Sequence, residues 1–264
     1  MKLYSSQLQE SFCAKSVLKV ISRINNTNFN SVIRVAQSAY LSNATYLDVA
    51  ANPKLIKTIK SEFDIPVCIS SISPIDIYNC LSSGADIIEL GNYDSFYKQG
   101  IYIGSDQLYR LVEEIRLLVG KVDICVTIPY HLSIHDQIEL SKNLEQIGVN
   151  ILQTEGIAKL NKIESQKINK HDLSFYNINK TFLPSLLSTH IISNSVNIPV
   201  ISSSGCNNVI APLSLLYGAS GVGISSCLNK LITVTSMVQY INETYNSMLA
   251  NTLERKINSS VSFS

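Results

Sequence analysis

The sequence predicts a single α/β barrel, in which eight parallel strands alternate with eight helices. The chain has 264 residues, a length typical of this fold. Short apolar runs alternate with helix-like stretches from one end to the other, which favours a parallel sheet. The rival architecture, a doubly wound open sheet, would carry Gly-x-Gly-x-x-Gly after the first strand. The turn there reads Ser22-Arg23-Ile24-Asn25-Asn26 instead. We therefore expect a closed (βα)₈ barrel, the TIM barrel.

Each predicted element follows from an apolar run or a helix boundary signal. Pro53 suits a first helical position, and Ser133-x-x-Asp136 resembles a capping box with Asp in place of Glu. Gly84 and Gly148 stand where the third and fifth helices should end. The predicted strands are 17–21, 46–50, 66–70, 86–90, 123–128, 150–154, 199–203 and 221–225. The predicted helices are 31–41, 53–62, 75–81, 105–119, 133–146, 181–193, 209–216 and 232–249.

Three segments lie outside these eight units. Residues 5–15 are expected to form a short helix that covers the bottom of the barrel. Residues 156–180 read as a long polar loop at the C-terminal end of the sixth strand, which is either a lid over a site or a plain surface insertion. Residues 251–264 are expected to be a polar, frayed tail, so that one barrel domain spans residues 1–250.

Composition excludes several classes of function. The net charge is +1 and the sequence pI is about 7.6, and the basic residues are scattered, so we expect neither nucleic-acid nor membrane binding. The longest mainly apolar stretch, 209–224, is interrupted by Pro212. No two cysteines have Cys-x-x-Cys spacing, and the N-terminus has no apolar leader core. We predict no metal site, because His131 and His135 do not share a helical face.

Strand alternation places an unusual set of polar side chains inside the barrel. The inward set comprises Lys19, Asp48, Glu89, Thr127, Gln153 and Glu155. Interior layers of such barrels are usually aliphatic, and a buried charge is costly without a partner. One interpretation is a purely structural ion pair between Lys19 and Asp48 on neighbouring strands. The other is a catalytic site, which would be weakened by a Lys19 ammonium that is fully paired and closed off from solvent.

In the catalytic interpretation, the barrel is a lyase or isomerase that acts on a small metabolite. Lys19 would be the nucleophile or base and Asp48 would orient it, with Glu89 or Glu155 as the proton shuttle. The alternative is a non-catalytic barrel that binds a metabolite or a partner protein. A third possibility is a flavin mononucleotide-binding oxidoreductase, although no sequence feature demands this cofactor and we predict none.

The turns after the seventh and eighth strands predict a site for a small anionic or phosphorylated ligand. The residues are Ser203, Ser204, Gly205, Gly223, Ser225 and Ser226. Gly205 lets the backbone approach an anion, and Asn207 or Asn208 can cap the following helix. Arg23, just after the first strand, is a candidate clamp for the anion. The two turns resemble those of the phosphate-binding barrel superfamily, with Ser204 in place of the first Gly of Gly-Gly and Ser225 in place of the Gly of Gly-Ser.

A closer resemblance covers nearly the whole chain. The segments that carry it are Leu18-Lys19-Val20-Ile21-Ser22, Tyr46-Leu47-Asp48-Val49-Ala50-Ala51, Ile88-Glu89-Leu90-Gly91-Asn92-Tyr93-Asp94-Ser95-Phe96-Tyr97 and Gln153-Thr154-Glu155-Gly156. They resemble the family of hypothetical chloroplast reading frame number twenty-three, with Arg23 as a departure in the turn after the first strand. The resemblance implies a barrel in the plastid stroma, and it supplies no reaction.

Overall fold

Eight parallel strands close into a barrel. The computed structural model describes residues 3–22, 28–91, 93–156 and 170–261. The strands pair in sequence order and the last returns to the first, which confirms the predicted (βα)₈ fold. Each strand end lies within one residue of its predicted position. The strands are β1 (Val17–Ile21), β2 (Tyr46–Ala50), β3 (Val67–Ser70), β4 (Ile87–Leu90), β5 (Asp123–Ile128), β6 (Ile151–Thr154), β7 (Val200–Ser202) and β8 (Gly221–Ile224).

The helices pack around the outside of the sheet, and a 3₁₀ turn at Leu228–Lys230 follows β8. They are α1 (Ser6–Cys13), α2 (Phe29–Tyr40), α3 (Pro53–Glu62), α4 (Pro74–Leu81), α5 (Asp94–Tyr97), α6 (Ser105–Val119), α7 (Ile134–Gln146), α8 (Lys170–Ser193), α9 (Ile210–Leu216) and α10 (Val234–Val261). The Ser133 hydroxyl accepts a hydrogen bond from the Asp136 N–H at 3.1 Å, which confirms the predicted cap. Within the described residues, no helix is both long and apolar enough to span a bilayer.

Two expectations about irregular segments were wrong. Helix α8 begins at Lys170, so residues 170–180 of the predicted loop are helical. Helix α10 continues to Val261, through most of the predicted tail. Both extensions are polar stretches without a clear apolar stripe, and a helix that is already nucleated adds such residues at little cost. The rest of the predicted lid, residues 157–169, lies outside the described residues, as do residues 262–264.

Helix α1 covers the bottom of the barrel, as predicted. Its buried residues Leu8 and Phe12 pack with the lowest inward-facing side chains of the strands, among them Tyr46 and Ile87. The Asp123 carboxylate accepts hydrogen bonds from the N–H groups of Tyr4 and Ser5, which fixes the start of this helix to β5. The bottom of the barrel is therefore apolar and closed, and polar chemistry is confined to the middle and the C-terminal mouth.

Candidate functional site

A buried ion network fills the middle of the barrel. Nζ of Lys19 on β1 lies 3.0 Å from Oδ2 of Asp48 on β2, and it also donates a hydrogen bond to Oε2 of Glu89 on β4. Lys19 is 0 % exposed, and Asp48 and Glu89 are each 1 % exposed. Strand alternation predicted all three as inward-facing, and the structure brings them together.

Neutral donors and acceptors complete this network. Nζ of Lys19 donates to Oε1 of Gln153 at 2.9 Å, and the Gln153 amide donates to Oε1 of Glu89 at 2.8 Å. The Thr127 hydroxyl donates to the same Glu89 oxygen at 3.1 Å, and the Ser70 hydroxyl donates to Oδ1 of Asp48 at 2.7 Å. Thr127 and Gln153 had been predicted as pocket residues. Ser70, on β3, adds a further hydroxyl donor to the network.

Burial and the attraction between opposite charges have opposite effects on the pKa values of Lys19 and Asp48. Burial is the largest influence on the pKa of Lys19 and lowers it, but Asp48 and Glu89 outweigh it, so this pKa lies well above its ordinary value. Burial raises the pKa of Asp48 to about 6 against the attraction of Lys19, and the Glu89 charge adds to the rise. Lys19 is therefore a permanent ammonium ion, and Asp48 exchanges its proton near neutral pH.

Gly91, just after the C-terminal end of β4, packs closely against Glu89 and Thr127 of this network. A Cβ atom at this position would lie 2.7 Å from Oε1 of Glu89 and would also collide with the Thr127 hydroxyl. The Lys19 ammonium is thus ion-paired and closed off from solvent, the arrangement that weighs against Lys19 as a nucleophile. Its catalytic role stays a prediction, and the arrangement fits a structural, charged floor beneath the mouth.

Three buried side chains in this region are of types that can bind a metal ion. Ligand atoms of Asp48, Cys68 and Glu89 lie within 4.8 Å of one another, all buried. The Lys19 ammonium already bridges the two carboxylates, so a metal ion would have to displace it. His131 packs against aromatic rings, and His135 is an exposed residue 3.8 Å from Glu139.

Glu155 lies apart from the Lys19 network, at the rim of the mouth. It accepts a hydrogen bond from the Tyr97 hydroxyl at 2.5 Å and another from the Tyr130 N–H at 3.1 Å. Burial, followed by the Glu155 charge, raises the pKa of Tyr97, which keeps its hydroxyl protonated as a donor. Tyr97 also stacks on Tyr102, with ring centroids 5.4 Å apart. Sequence reasoning missed these tyrosines, because they lie in connections where strand alternation gives no direction.

The turn after β7 has an unusual backbone. Ser204 and Gly205 have φ angles of 68° and 74°, in the left-handed region that favours glycine. Ser204 therefore carries a side chain in a backbone conformation that favours glycine. Within the described part of the chain, no acceptor takes a hydrogen bond from the N–H of Ser204 or Gly205.

Strand β8 packs closely against β7 at Gly223, just before the turn after β8. A Cβ atom there would lie 3.0 Å from both Cδ1 of Ile21 and Oγ of Ser203, so β7 and β8 approach closely at this point. Ser225 is half-buried, and its hydroxyl lies 3.4 Å from the Asn229 amide nitrogen, while Ser226 is exposed.

Two further predictions about the corner formed by the turns after β7 and β8 have different outcomes. Oδ1 of Asn207 accepts hydrogen bonds from the N–H groups of Val209 and Ile210, at 2.8 and 3.0 Å. The predicted cap is confirmed, and the Asn207 side chain occupies these two amides. Arg23, the predicted clamp, lies outside the described residues.

Comparison with known proteins identifies the family. Residues 4–254 match the family described as "Protein of unknown function (DUF561)". The chain belongs to the DUF561 family. Relatives named "Uncharacterized protein ycf23" are 42 % identical over 247 residues in Antithamnion sp. (92 % of this chain, 88 % of the relative) and 41 % identical over 230 residues in Cyanophora paradoxa (87 % and 91 %). These matches confirm the resemblance seen in the sequence. The ycf23 relatives are encoded in algal plastid genomes and in Cyanophora, which confirms the predicted plastid location of this DUF561 chain.

Solved structures similar to this DUF561 chain are barrel synthases and aldolases. Thiamine phosphate pyrophosphorylase from Pyrococcus furiosus has a TM-score of 0.57 at 17 % identity (90 % of this chain, 97 % of that chain). Deoxyribose phosphate aldolase from Aeropyrum pernix has a TM-score of 0.60 at 12 % identity (92 % of this chain, 94 % of that chain). (S)-3-O-geranylgeranylglyceryl phosphate synthase from Thermoplasma acidophilum, solved with sn-glycerol-1-phosphate, has a TM-score of 0.60 at 12 % identity (94 % of this chain, 99 % of that chain). At these identities the likeness shows the fold alone.

Proposed function

We propose that this protein binds a small phosphorylated metabolite at the mouth of the barrel, with the phosphate between the turns after β7 and β8. The observation that carries the proposal is the pair of left-handed residues Ser204 and Gly205, whose N–H groups donate to no acceptor among the described residues. Consecutive turn amides without internal partners form a concave donor surface that suits an anion.

The opposite side of this corner supplies further donors. Because Gly223 has no Cβ atom, the buried side chain of Ser203 can pack closely against β8. Hydroxyl groups of Ser203, Ser225 and Ser226 add neutral donors for phosphate oxygens. The turn residues 203–205 and 225–226 include no Lys or Arg, so these residues would hold the phosphate through amides and hydroxyl groups. Neighbouring folds whose names include thiamine phosphate, deoxyribose phosphate and glycerol phosphate support this ligand class.

The Lys19 network lies below this corner, and we propose that it acts first as a floor. It fills the barrel centre with paired charges, so the ligand would rest on a closed polar surface rather than enter a deep cavity. Ile21, on the same strand as Lys19, faces Gly223 and marks the level at which the ligand would sit.

A second candidate function is a lyase or isomerase reaction on the same ligand. The observation that favours it is Asp48, whose pKa of about 6 gives the barrel a group that exchanges protons near neutral pH. In that case Asp48 or Glu89 would move the proton, or Glu155 at the rim, and Lys19 would remain charged. Borohydride reduction in the presence of a carbonyl phosphate should then leave Lys19 unmodified in a mass spectrum. A reduced adduct on Lys19 would restore it as a Schiff-base nucleophile.

The binding proposal is tested by thermal unfolding with inorganic phosphate, sulfate, sn-glycerol-1-phosphate and flavin mononucleotide. A ligand at 100 times its dissociation constant stabilises a protein by about 2.7 kcal/mol, which raises the melting temperature measurably. Flavin mononucleotide belongs in the set because it carries a phosphate, and its retention would make the protein absorb visible light. No shift with any of the four probes would contradict the proposal.

A pair of matched variants separates the site from general stability. Gly205→Val should abolish the shift, because it adds a branched side chain at a φ of 74° beside the turn amides. Gly120→Val is the control, since Gly120 has a φ of 62° with open space around it and ends α6 at the other face of the barrel. Both variants bear the same kind of backbone strain. Equal ligand shifts in both variants would mean that the turn is structural.

A further inference from the structure

Buried hydroxyl groups lie behind the turn after β7, between the sheet and helices α8 and α9. Oγ1 of Thr154 lies 2.7 Å from Oγ1 of Thr189 and 3.2 Å from Oγ of Ser185. The Ser214 hydroxyl donates to the Ser202 hydroxyl at 3.2 Å. All five side chains are at most 2 % exposed. The outward faces of barrel strands normally pack on helices through apolar side chains, so a polar set here calls for a specific role.

The hydroxyl of Ser185 connects this set to the turn. It donates a hydrogen bond to the carbonyl oxygen of Ser203 at 2.5 Å. Ser185 belongs to α8, on the outside of the sheet, so this carbonyl points away from the barrel interior. In a planar trans peptide the C=O and the following N–H point in opposite directions. The N–H of Ser204 therefore points toward the mouth of the barrel.

The same peptide is under local strain. A φ of 68° at Ser204 places a side-chain-bearing residue in the left-handed region, a strained conformation that persists only where the surroundings hold it. Rotation of the 203–204 peptide would relieve the strain. That rotation would turn the Ser203 carbonyl oxygen, a partial negative charge, toward any anion in the mouth. The bond from Ser185 opposes this rotation.

Other hydrogen bonds hold the backbone on either side of this contact. Thr189 donates to the Ser185 carbonyl at 2.7 Å, one turn along the same helix. The Cys206 thiol lies 3.5 Å from the Ser202 carbonyl oxygen, on the other side of the turn. Burial raises the pKa of Cys206 to about 11, so it stays a thiol and donates rather than acting as a thiolate.

We propose that Ser185 is a positioning residue for the anion site, which holds the 203–204 peptide so that the Ser204 N–H faces the ligand. The inference rests on the proposed phosphate binding for its functional meaning. Ser185 does not touch the ligand, and its effect passes through one peptide plane. The hydroxyl set between α8 and the sheet is thus the support of the binding turn.

The test compares Ser185→Ala with Ser141→Ala. Ser141 is a fully buried hydroxyl on α7 that donates to the Gln137 carbonyl at 2.6 Å, so its removal is chemically matched but remote from the turn. Calorimetric titration with inorganic phosphate and with sn-glycerol-1-phosphate should show about tenfold weaker binding in Ser185→Ala and unchanged binding in Ser141→Ala. Ser185→Cys, which keeps a weak donor, should recover part of the affinity. Equal affinities in Ser185→Ala and Ser141→Ala would overturn the positioning role.

A crystal structure of ligand-free Ser185→Ala separates this inference from the proposed function. The 203–204 peptide should be rotated, and Ser204 should leave the left-handed region. An unchanged peptide in that structure overturns the positioning role whether or not phosphate binds. A rotated peptide in Ser185→Ala, together with a wild-type protein that binds neither phosphate probe, would support the positioning of Ser204 and reject the phosphate site.

Discussion

Oδ2 of Asp48 lies 3.0 Å from the ammonium of Lys19, its ion-pair partner, and Oδ1 accepts a hydrogen bond from the Ser70 hydroxyl. Glu89 is held more fully, since Lys19, Thr127 and Gln153 all donate to its carboxylate. The two carboxyl groups therefore differ in the number of hydrogen bonds that they accept. Burial raises the pKa of Asp48, which accepts fewer, to about 6.

This inequality predicts a pH dependence of stability. The folded pKa of Asp48 is about 6, raised from 3.8, so the folded state binds its proton more tightly than the unfolded state. The contribution of Asp48 is therefore fully present below about pH 4 and is lost as the pH rises through 6. Its size is at most about 3 kcal/mol, at about 1.4 kcal/mol per pKa unit. The measurement is the free energy of urea unfolding of wild type and Asp48→Asn between pH 4 and 7. The difference should shrink with rising pH, and parallel profiles would contradict it.

Neutralising the two acids should have different costs at neutral pH. Glu89→Gln removes the better supported counter-charge and leaves Lys19 paired only with Asp48, so we expect a loss of about 3–5 kcal/mol. Asp48→Asn should cost less, under about 1 kcal/mol, because burial already destabilises the ionised form of Asp48 at this pH. Urea unfolding at pH 7 measures both values. A larger loss of unfolding free energy in Asp48→Asn than in Glu89→Gln would contradict this order.

Strand alternation was enough to predict the interior of the barrel, because side chains of paired parallel strands must alternate between its two faces. Lys19, Asp48, Glu89, Thr127 and Gln153 were found in this way. Alternation ends where a strand ends, and Glu155 shows the limit. It lies just past β6, and its partners are Tyr97, at the end of the short helix α5, and Tyr130, in the loop after β5, both in connections whose paths depend on tertiary packing. The support of the anion turn by Ser185 was equally hidden, because it crosses from a helix to a backbone carbonyl.

Close packing at Gly91 predicts that even alanine is harmful there. The added Cβ would lie 2.7 Å from Oε1 of Glu89 and would press on Thr127, so the network would have to move. Overpacking of this kind typically costs about 1–3 kcal/mol. Gly104→Ala is the matched control, because the nearest atom to its Cβ is 3.8 Å away. Unfolding by urea should show a loss only in Gly91→Ala. Equal stability of the two variants would indicate that the network is loosely packed.

The backbone of Ser204 predicts that glycine is better at this position than the native residue. Its φ of 68° costs a residue with a Cβ about 1 kcal/mol, and glycine does not bear that cost. Ser204→Gly should therefore raise the free energy of unfolding by several tenths of a kcal/mol, offset in part by the greater freedom of glycine in the unfolded chain. Phosphate affinity should be kept, because the ligand would contact the N–H of residue 204 rather than its side chain. Ser204→Ala is the control, since it removes the hydroxyl and retains the strain. Stabilisation by both variants would point to the hydroxyl as the unfavourable group, and loss of binding in both would show that the side chain of Ser204 is itself a ligand contact.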